Sequence, residues 1–232
     1  MARPNPHRPF VPNPEMVTRL PEITGNEING LGETLARRPD HVFWAPDPNE
    51  IAFGEVQKWF YMCQPDSTEM AAERAKRQAV FDAALPDMNP VALEKSPIEW
   101  TNSLDQFVGS GVCEMVGVTT LQSDWIFEKH STTFQKIIMV GVHHEYEEIK
   151  HAPDFRAGIE VVRQYGRAAA AAKKITGWLM EQGWDAEALT GPMAGKVVMI
   201  PPALECGFGE LGKHGSLINP ESGSSFRLAA IL

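Results

Sequence analysis

An α/β protein is predicted by three features of the 232-residue chain. A long amphipathic helix spans about 155–182, short β-branched runs lie on both sides of it, and helix and strand patterns alternate through the C-terminal half. In the long helix Ile159, Val162, Tyr165, Ala169, Ala172, Ile175 and Leu179 recur three or four residues apart, which makes one apolar face. Gly183 follows as its C-cap. The strand candidates are Glu114 to Thr119 (EMVGVT, read as buried), Lys136 to Val142 (KIIMVGV), Lys196 to Ile200 (KVVMI) and Phe226 to Leu232 (FRLAAIL). The third is expected to stop at Pro201-Pro202, because proline cannot donate to a ladder; the fourth is read as ending where the chain does.

Upstream the pattern is looser. Residues 1 to about 50 carry repeated breakers, such as Pro12-Asn13-Pro14 and Pro46-Asp47-Pro48, and read as an arm that Phe10, Phe43 and Trp44 pin down. From Ser67 to Leu85 a Ser/Thr start and a run of helix formers predict a capped helix ending before Pro86. Met88 to Pro97 reads as a linker, and Ser96 to Ser110 as a helix. The expected division is an extension over 1–95, partly irregular with one helix, and a domain over 96–232.

A formal net charge of −9 argues against a nucleic-acid or anionic-membrane partner. Cys63, Cys113 and Cys206 are isolated, with no C-x-x-C pair, so the chain holds no four-cysteine cluster of its own. Free thiols and the lack of a secretory apolar run fit a cytoplasmic protein. His143, His144, Glu145, Glu147, Glu148 and His151 crowd together after a strand, but the run does not match H-E-x-x-H. It reads as an exposed loop or short turn, and no metal site is predicted.

Gly207-Phe208-Gly209-Glu210-Leu211-Gly212 has the letters of a dinucleotide fingerprint. That motif must leave a strand and open a helix, so that the helix N-terminus meets a pyrophosphate. Here the strand candidate stops well before the glycines, and turn residues follow them: Lys213-His214-Gly215-Ser216, Asn219-Pro220, Gly223-Ser224-Ser225. The loop is better suited to bringing backbone amides close to a polar ligand, a large cofactor with amide arms and a phosphate tail.

The stretch GFGELGKHGSLINPESGSSFRLAAIL resembles the corrinoid-site segment of cobalamin-dependent reductive dehalogenases and of the related epoxyqueuosine reductases. QYGRAAAAA followed by LMEQGWDA, and GVCEMVGVTTLQSDWIF followed by KIIMVGVHHEYEEIKHAPDF, resemble further segments of that family in the same order. The resemblance covers about 98–232. It implies a nitroreductase-like α/β (α+β) domain that holds cobalamin, with the irregular extension before it. The family's ferredoxin-like module would follow, so [4Fe-4S] clusters are expected only in a missing module or a partner protein.

The same resemblance assigns roles. Tyr165 matches the family's proton donor, and Arg227 the cation that stabilises its anion; a guanidinium beside a phenol favours the phenolate. Gly207, Phe208, Gly209, Gly212, Lys213, His214, Ser216 and Leu217 match the cofactor-binding stretch. Two departures stand out. EALTGPMAGK (187–196) lacks the asparagine often found there and is a few residues longer, and Ala170 stands where the epoxyqueuosine branch has an aspartate. The implied function is reductive dehalogenation of an organohalide, of aromatic type, with electrons from an iron–sulfur or flavin donor protein; a homodimer is compatible with it. The alternatives are a non-catalytic corrinoid carrier and a flavin enzyme of nitroreductase type.

Overall fold

The computed structural model describes residues 11, 13–22, 34, 35, 37–63, 67–191 and 195–232. The chain divides into two compact units, 1–65 and 66–232. Phe10 lies outside the described residues.

In the first unit Asn13 caps a single-turn helix, α1 (Pro14–Val17), with its side chain accepting from Glu15 N at 2.9 Å. A second helix, α2 (Gly54–Met62), is one that the sequence reading lacks. Its Gln57 is buried and uses its amide as a strand would, accepting from Ala45 N at 3.1 Å and donating to Ala45 O at 2.9 Å. Gly54 is required at the start of α2, since a Cβ there would collide with the Pro48 carbonyl. Two of the expected pinning aromatics do pack: Phe43 on Phe53 at 4.4 Å, and Trp44 edge-on to Phe60 at 5.1 Å.

The second unit is a four-stranded sheet with helices. Helix α3 (Thr68–Asp82) is capped by Ser67, as the sequence pattern predicts, and α4 (Pro97–Val108), expected as a helix, begins with a reciprocal Ser96/Glu99 capping box. Strands β1 (Met115–Thr120) and β2 (Lys136–His143) follow, then the single turn α5 (Tyr146–Ile149) and the long helix α6 (Phe155–Glu181). The remainder is β3 (Ala188–Leu189), α7 (Ile200–Glu205), the hairpin β4 (Glu210–Leu211) and β5 (Leu217–Ile218), and β6 (Phe226–Ile231).

The sheet order is β1-β2-β6-β3 and every pairing is antiparallel, so the unit is α+β. The last strand therefore sits inside the sheet. β1, read as buried, is an edge strand and only partly covered. Period-two alternation splits the core between the two faces. Val140, Val142, Ala229 and Ile231 pack under α4 and α6, while Ile137, Met139, Phe226 and Ala230 pack with Ala203, Phe208 and Leu217 on the other face. Each of the larger of these side chains contributes roughly 1.5–3 kcal/mol, and each alanine less.

Both ends of α6 obey local rules. Asp154 accepts from Arg156 N at its start. At its end Gly183, with φ +84°, donates to Met180 O at 2.9 Å and Trp184 donates to Leu179 O at 3.0 Å, a Schellman closure. The segment read as a linker is in fact clamped against this end: Asn89 N donates to Met180 O at 2.9 Å, and Leu93 N to Gln182 O at 2.8 Å.

One element differs in kind. KVVMI forms no strand; Val197 makes only an isolated bridge to Ile126, and Ile200 opens α7. Pro201 and Pro202 occupy the first turn of that helix, where missing amide hydrogens do no harm. No described helix is long and apolar enough to cross a membrane.

Candidate functional site

The fold settles what the first glycine of the GFGELG run does. Gly207 (φ +74°) donates to Leu204 O at 2.9 Å and Phe208 donates to Ala203 O at 3.0 Å, which closes α7 by the same Schellman pattern as at Gly183. The glycine ends a helix rather than opening one. Phe208 then turns into the core, 4% exposed, where it lies over Gly117 and Gly141. Gly209 (φ +152°) is forced, because a Cβ there would press on the Ile218 carbonyl.

Beyond it the β4–β5 hairpin turns through Gly212 to Ser216, with Gly212 N donating to Ser216 O at 2.9 Å. Lys213 and His214 lie exposed at its tip, and His214 Nδ1 accepts from Ser216 N at 3.0 Å. The hairpin is anchored from below by Asn219, a residue the sequence reading treated only as turn chemistry. Asn219 is 9% exposed; its amide donates to Phe208 O at 2.9 Å and its oxygen accepts from Glu221 N at 2.8 Å.

Tyr165 and Arg227 come together. Arg227 follows Phe226 at the start of β6, and alternation puts it on the α6 side, where its guanidinium carbon stands 4.7 Å from the Tyr165 ring centroid. Both line a cavity of about 370 Å³. Ser216, Leu217 and Ser224 form another part of its wall, and Val197 to Ile200 a third. Of the predicted cofactor-binding residues, Ser216 and Leu217 are thus brought to the Tyr165–Arg227 pair; Gly207, Phe208, Gly209, Gly212, Lys213 and His214 are not among its lining residues.

A polar network supports the pair along α6. Glu160, fully buried, accepts from Glu145 N and Gln164 Nε2, both at 2.7 Å, and from Arg163 Nη1 at 2.9 Å. Arg167 donates to Gln164 Oε1 at 3.0 Å and to Glu114 at 2.6 Å, while Glu114 also accepts from His143 N at 3.0 Å. Burial works most strongly against the Glu114 charge, but the Arg167 hydrogen bond, the His143 amide and the nearby positive charge together outweigh it and hold the carboxyl below its usual range.

His144 was singled out only as part of a loop cluster. Both its ring nitrogens are buried without a hydrogen-bond partner. Burial, and then the Arg227 charge, lower its pKa to about 4, with Glu160 acting in the opposite sense. It is therefore neutral at neutral pH. Of its cluster neighbours, His143 also has a buried Nε2 without a hydrogen-bond partner, while Glu147 pairs with Lys150 and Glu148 with Arg156. Two of the thiols are not activated: burial pushes Cys113 up to about 11 and raises Cys206 as well.

A larger cavity, about 780 Å³, lies elsewhere in the unit among Trp100, Trp178, Trp184, Phe134 and Leu179. It contains none of the predicted site residues and no unpaired guanidinium. Chemistry, not volume, points to the smaller one.

No family model matches the chain. Over 129 residues it is 31% identical to tetrachloroethene reductive dehalogenases of Desulfitobacterium hafniense and of Dehalobacter restrictus (strain DSM 9455 / PER-K23). The match takes in 55% of this chain and 22% of each relative, so the chain spans less than a quarter of the length of those proteins. Its fold resembles that of the catabolic reductive dehalogenase NpRdhA in complex with 3-bromo-4-hydroxybenzoic acid, with TM-score 0.56 and 17% identity over 84% of this chain and 25% of that one. A reductive dehalogenase structure described as suggesting a mechanism for B12-dependent dehalogenation gives TM-score 0.56 and 18% identity, with the same coverage. The chain is thus similar to reductive dehalogenases in sequence and in fold, as the order of its motifs implies.

Proposed function

We propose that residues 96–232 form the corrinoid-binding part of an enzyme that reductively dehalogenates an organohalide. The observation that carries this reading is the Tyr165–Arg227 contact: a phenol and a guanidinium from elements far apart in sequence meet at one cavity. The family names of the relatives support the reaction class, and the halogenated aromatic bound to NpRdhA supports an aromatic substrate.

The residues present fit an edge of a corrinoid rather than the whole of it. A corrin macrocycle is larger than the 370 Å³ cavity, so this chain would supply one wall: Ser216, Leu217 and Ser224, beside the Tyr165–Arg227 pair. The buried Nε of Arg227, which has no hydrogen-bond partner, fits a site that acquires a polar group when filled. When bound, a reduced corrinoid supplies the two electrons that cleave the carbon–halogen bond.

The rest falls to this chain. Replacing halogen by hydrogen consumes two electrons and one proton and releases halide. Tyr165 Oη delivers that proton to carbon, and the Arg227 guanidinium offsets the negative charge left on the phenol. Neutral His144 adds no competing charge beside Arg227. None of the three cysteines stands near another in sequence, so in this reading the electrons come from an iron–sulfur module outside residues 1–232 or from an iron–sulfur or flavin donor protein.

The test is spectroscopic. Protein incubated with hydroxocobalamin is expected to retain it through gel filtration and to shift its absorbance to that of the base-off form. A folded protein that elutes colourless overturns the proposal, and one that instead retains a yellow flavin establishes the nitroreductase-type reading.

A further inference from the structure

We propose that Arg77 of α3 is a second positioning guanidinium of the Tyr165 site, so that the phenol is held by one cation from the sheet and another from a helix that precedes the stretch whose sequence resembles the family. The inference rests on the dehalogenase reading for its purpose, though not for its geometry. The Arg77 guanidinium carbon lies 5.4 Å from the Tyr165 ring centroid and 4.8 Å from that of Phe81 on its own helix. Arg227 lies 4.7 Å from the same Tyr165 ring. Two guanidinium groups thus address one phenol, each within cation–π range.

Both are unspent as charges. Among the described residues neither Arg77 nor Arg227 has a carboxylate partner, and the Nε of each is buried without a hydrogen-bond partner. The arginines of α6 contrast with them. Arg163 pairs with Glu160 at 2.9 Å and Glu73 at 3.5 Å, Arg167 with Glu114 at 2.6 Å, and Arg156 with Glu148. Close helix packing sets the placement: a Cβ on Gly166, next to Tyr165, would stand 3.6 Å from Arg77 Cβ. Arg77 Nη2 also reaches Gly191, where the loop before α7 begins, with 3.8 Å to the Cβ that a side chain there would have.

The remaining charged groups on the packed elements do not compensate the pair. Helix α3 also carries Glu69, Glu73, Arg74, Lys76 and Asp82, of which Glu73 is bound to Lys76 and Arg163. Helix α5 offers Glu147 and Glu148, both already paired, and β2 ends in His143, with His144 neutral beside Arg227. Two unpaired guanidinium groups over one ring hold it by cation–π attraction and leave positive charge beside it. Arg77 therefore acts through Tyr165: it holds the ring and, with Arg227, answers the charge that proton donation leaves.

The chain has three tyrosines, Tyr61, Tyr146 and Tyr165, which makes a direct test available. In a Tyr61→Phe/Tyr146→Phe background, with tyrosine carbon-13 labelled in its ring, Tyr165 gives the sole tyrosine ring signals, read by NMR without any cofactor. Arg77→Gln is expected to displace those signals and to speed the flipping of the ring, Arg227→Gln to do likewise, and the double variant to do so further. Arg77→Lys, which keeps the charge, is expected to stay near the parent. Coincident parent and Arg77→Gln signals, with only Arg227→Gln displaced, overturn the proposal. Where Arg77→Gln does not fold, an Arg77→Lys spectrum coincident with the parent supports the proposal, and a displaced one overturns it. A protein that shows the Arg77→Gln displacement but retains no hydroxocobalamin keeps the arginine pair and loses the dehalogenase reading; the converse result does the opposite.

Discussion

The two cavities of the C-terminal unit are built from opposite materials. Around the 780 Å³ cavity Trp100 meets Trp178 edge-on at 5.8 Å, Phe107 stacks on Trp178 at 5.2 Å, and Lys95 lies over Trp100 at 4.7 Å. Its walls satisfy one another. Around the 370 Å³ cavity an arginine has a buried Nε without a partner, and the neighbouring histidine has two such nitrogens. The folded chain keeps polar groups there that it does not satisfy, and groups of that kind signal a site completed by something else. Volume alone selects the larger cavity, whose lining holds no such group.

The polar network behind the smaller cavity should show the largest effect. Glu160→Ala leaves the Glu145 amide, Gln164 and Arg163 without their acceptor in a buried place, and is expected to lower the unfolding free energy by about 3–5 kcal/mol in urea titrations. Glu160→Gln, which retains an acceptor, should lose clearly less. In the tryptophan-walled region Trp178→Ala is expected to cost about 3 kcal/mol through lost packing, while leaving hydroxocobalamin retention at the parent level. Equal loss of cofactor retention in Trp178→Ala and in Arg227→Gln would erase the distinction between the cavities.

The pH dependence follows from His144. Its pKa in the folded protein, about 4, lies below the ordinary 6.5, so the unfolded chain takes up the proton first as pH falls. The stability that His144 contributes is complete above pH 6.5 and is lost progressively down to about pH 4, amounting to about 1–3 kcal/mol. Melting curves across that window should be flatter for His144→Gln than for the parent. The smallest effects are at the helix-closing glycines. Gly207→Ala should cost about 1 kcal/mol, for it meets only the left-handed backbone penalty, with nothing within 4 Å of the new Cβ. Gly183→Ala should cost more, because its Cβ would also stand 2.6 Å from Ala92 Cα.

These glycines show what a sequence makes legible. Gly183 was readable because twenty-odd residues of helical periodicity lead up to it, and the capping rules need nothing else. Gly207 was not, because the six-residue helix it closes is too short to show a period and carries the β-branched and Pro-Pro signals of a strand and its end. The same ambiguity hid the wall formed by Val197 to Ile200. Tyr165 and Arg227 were named from the order of motifs, and the α6 stripe with the period-two alternation of β6 accounts for their meeting. Arg77 had no such signal: on α3 it reads as one more surface charge, and only the packing of α3 on α6 brings it to the ring. Glu160 was equally hidden, since a carboxylate beside Ile159 gives no sign of being buried until its three donors are in place.

Halide release by chemically reduced, hydroxocobalamin-loaded protein, measured for the parent and for Tyr165→Phe, tests the central claim most directly. Retained cofactor with halide release lowered by about 100-fold or more in Tyr165→Phe is the predicted result, within the range ascribed to a positioned acid. Equal rates from the two proteins would contradict it and would place the proton donor elsewhere.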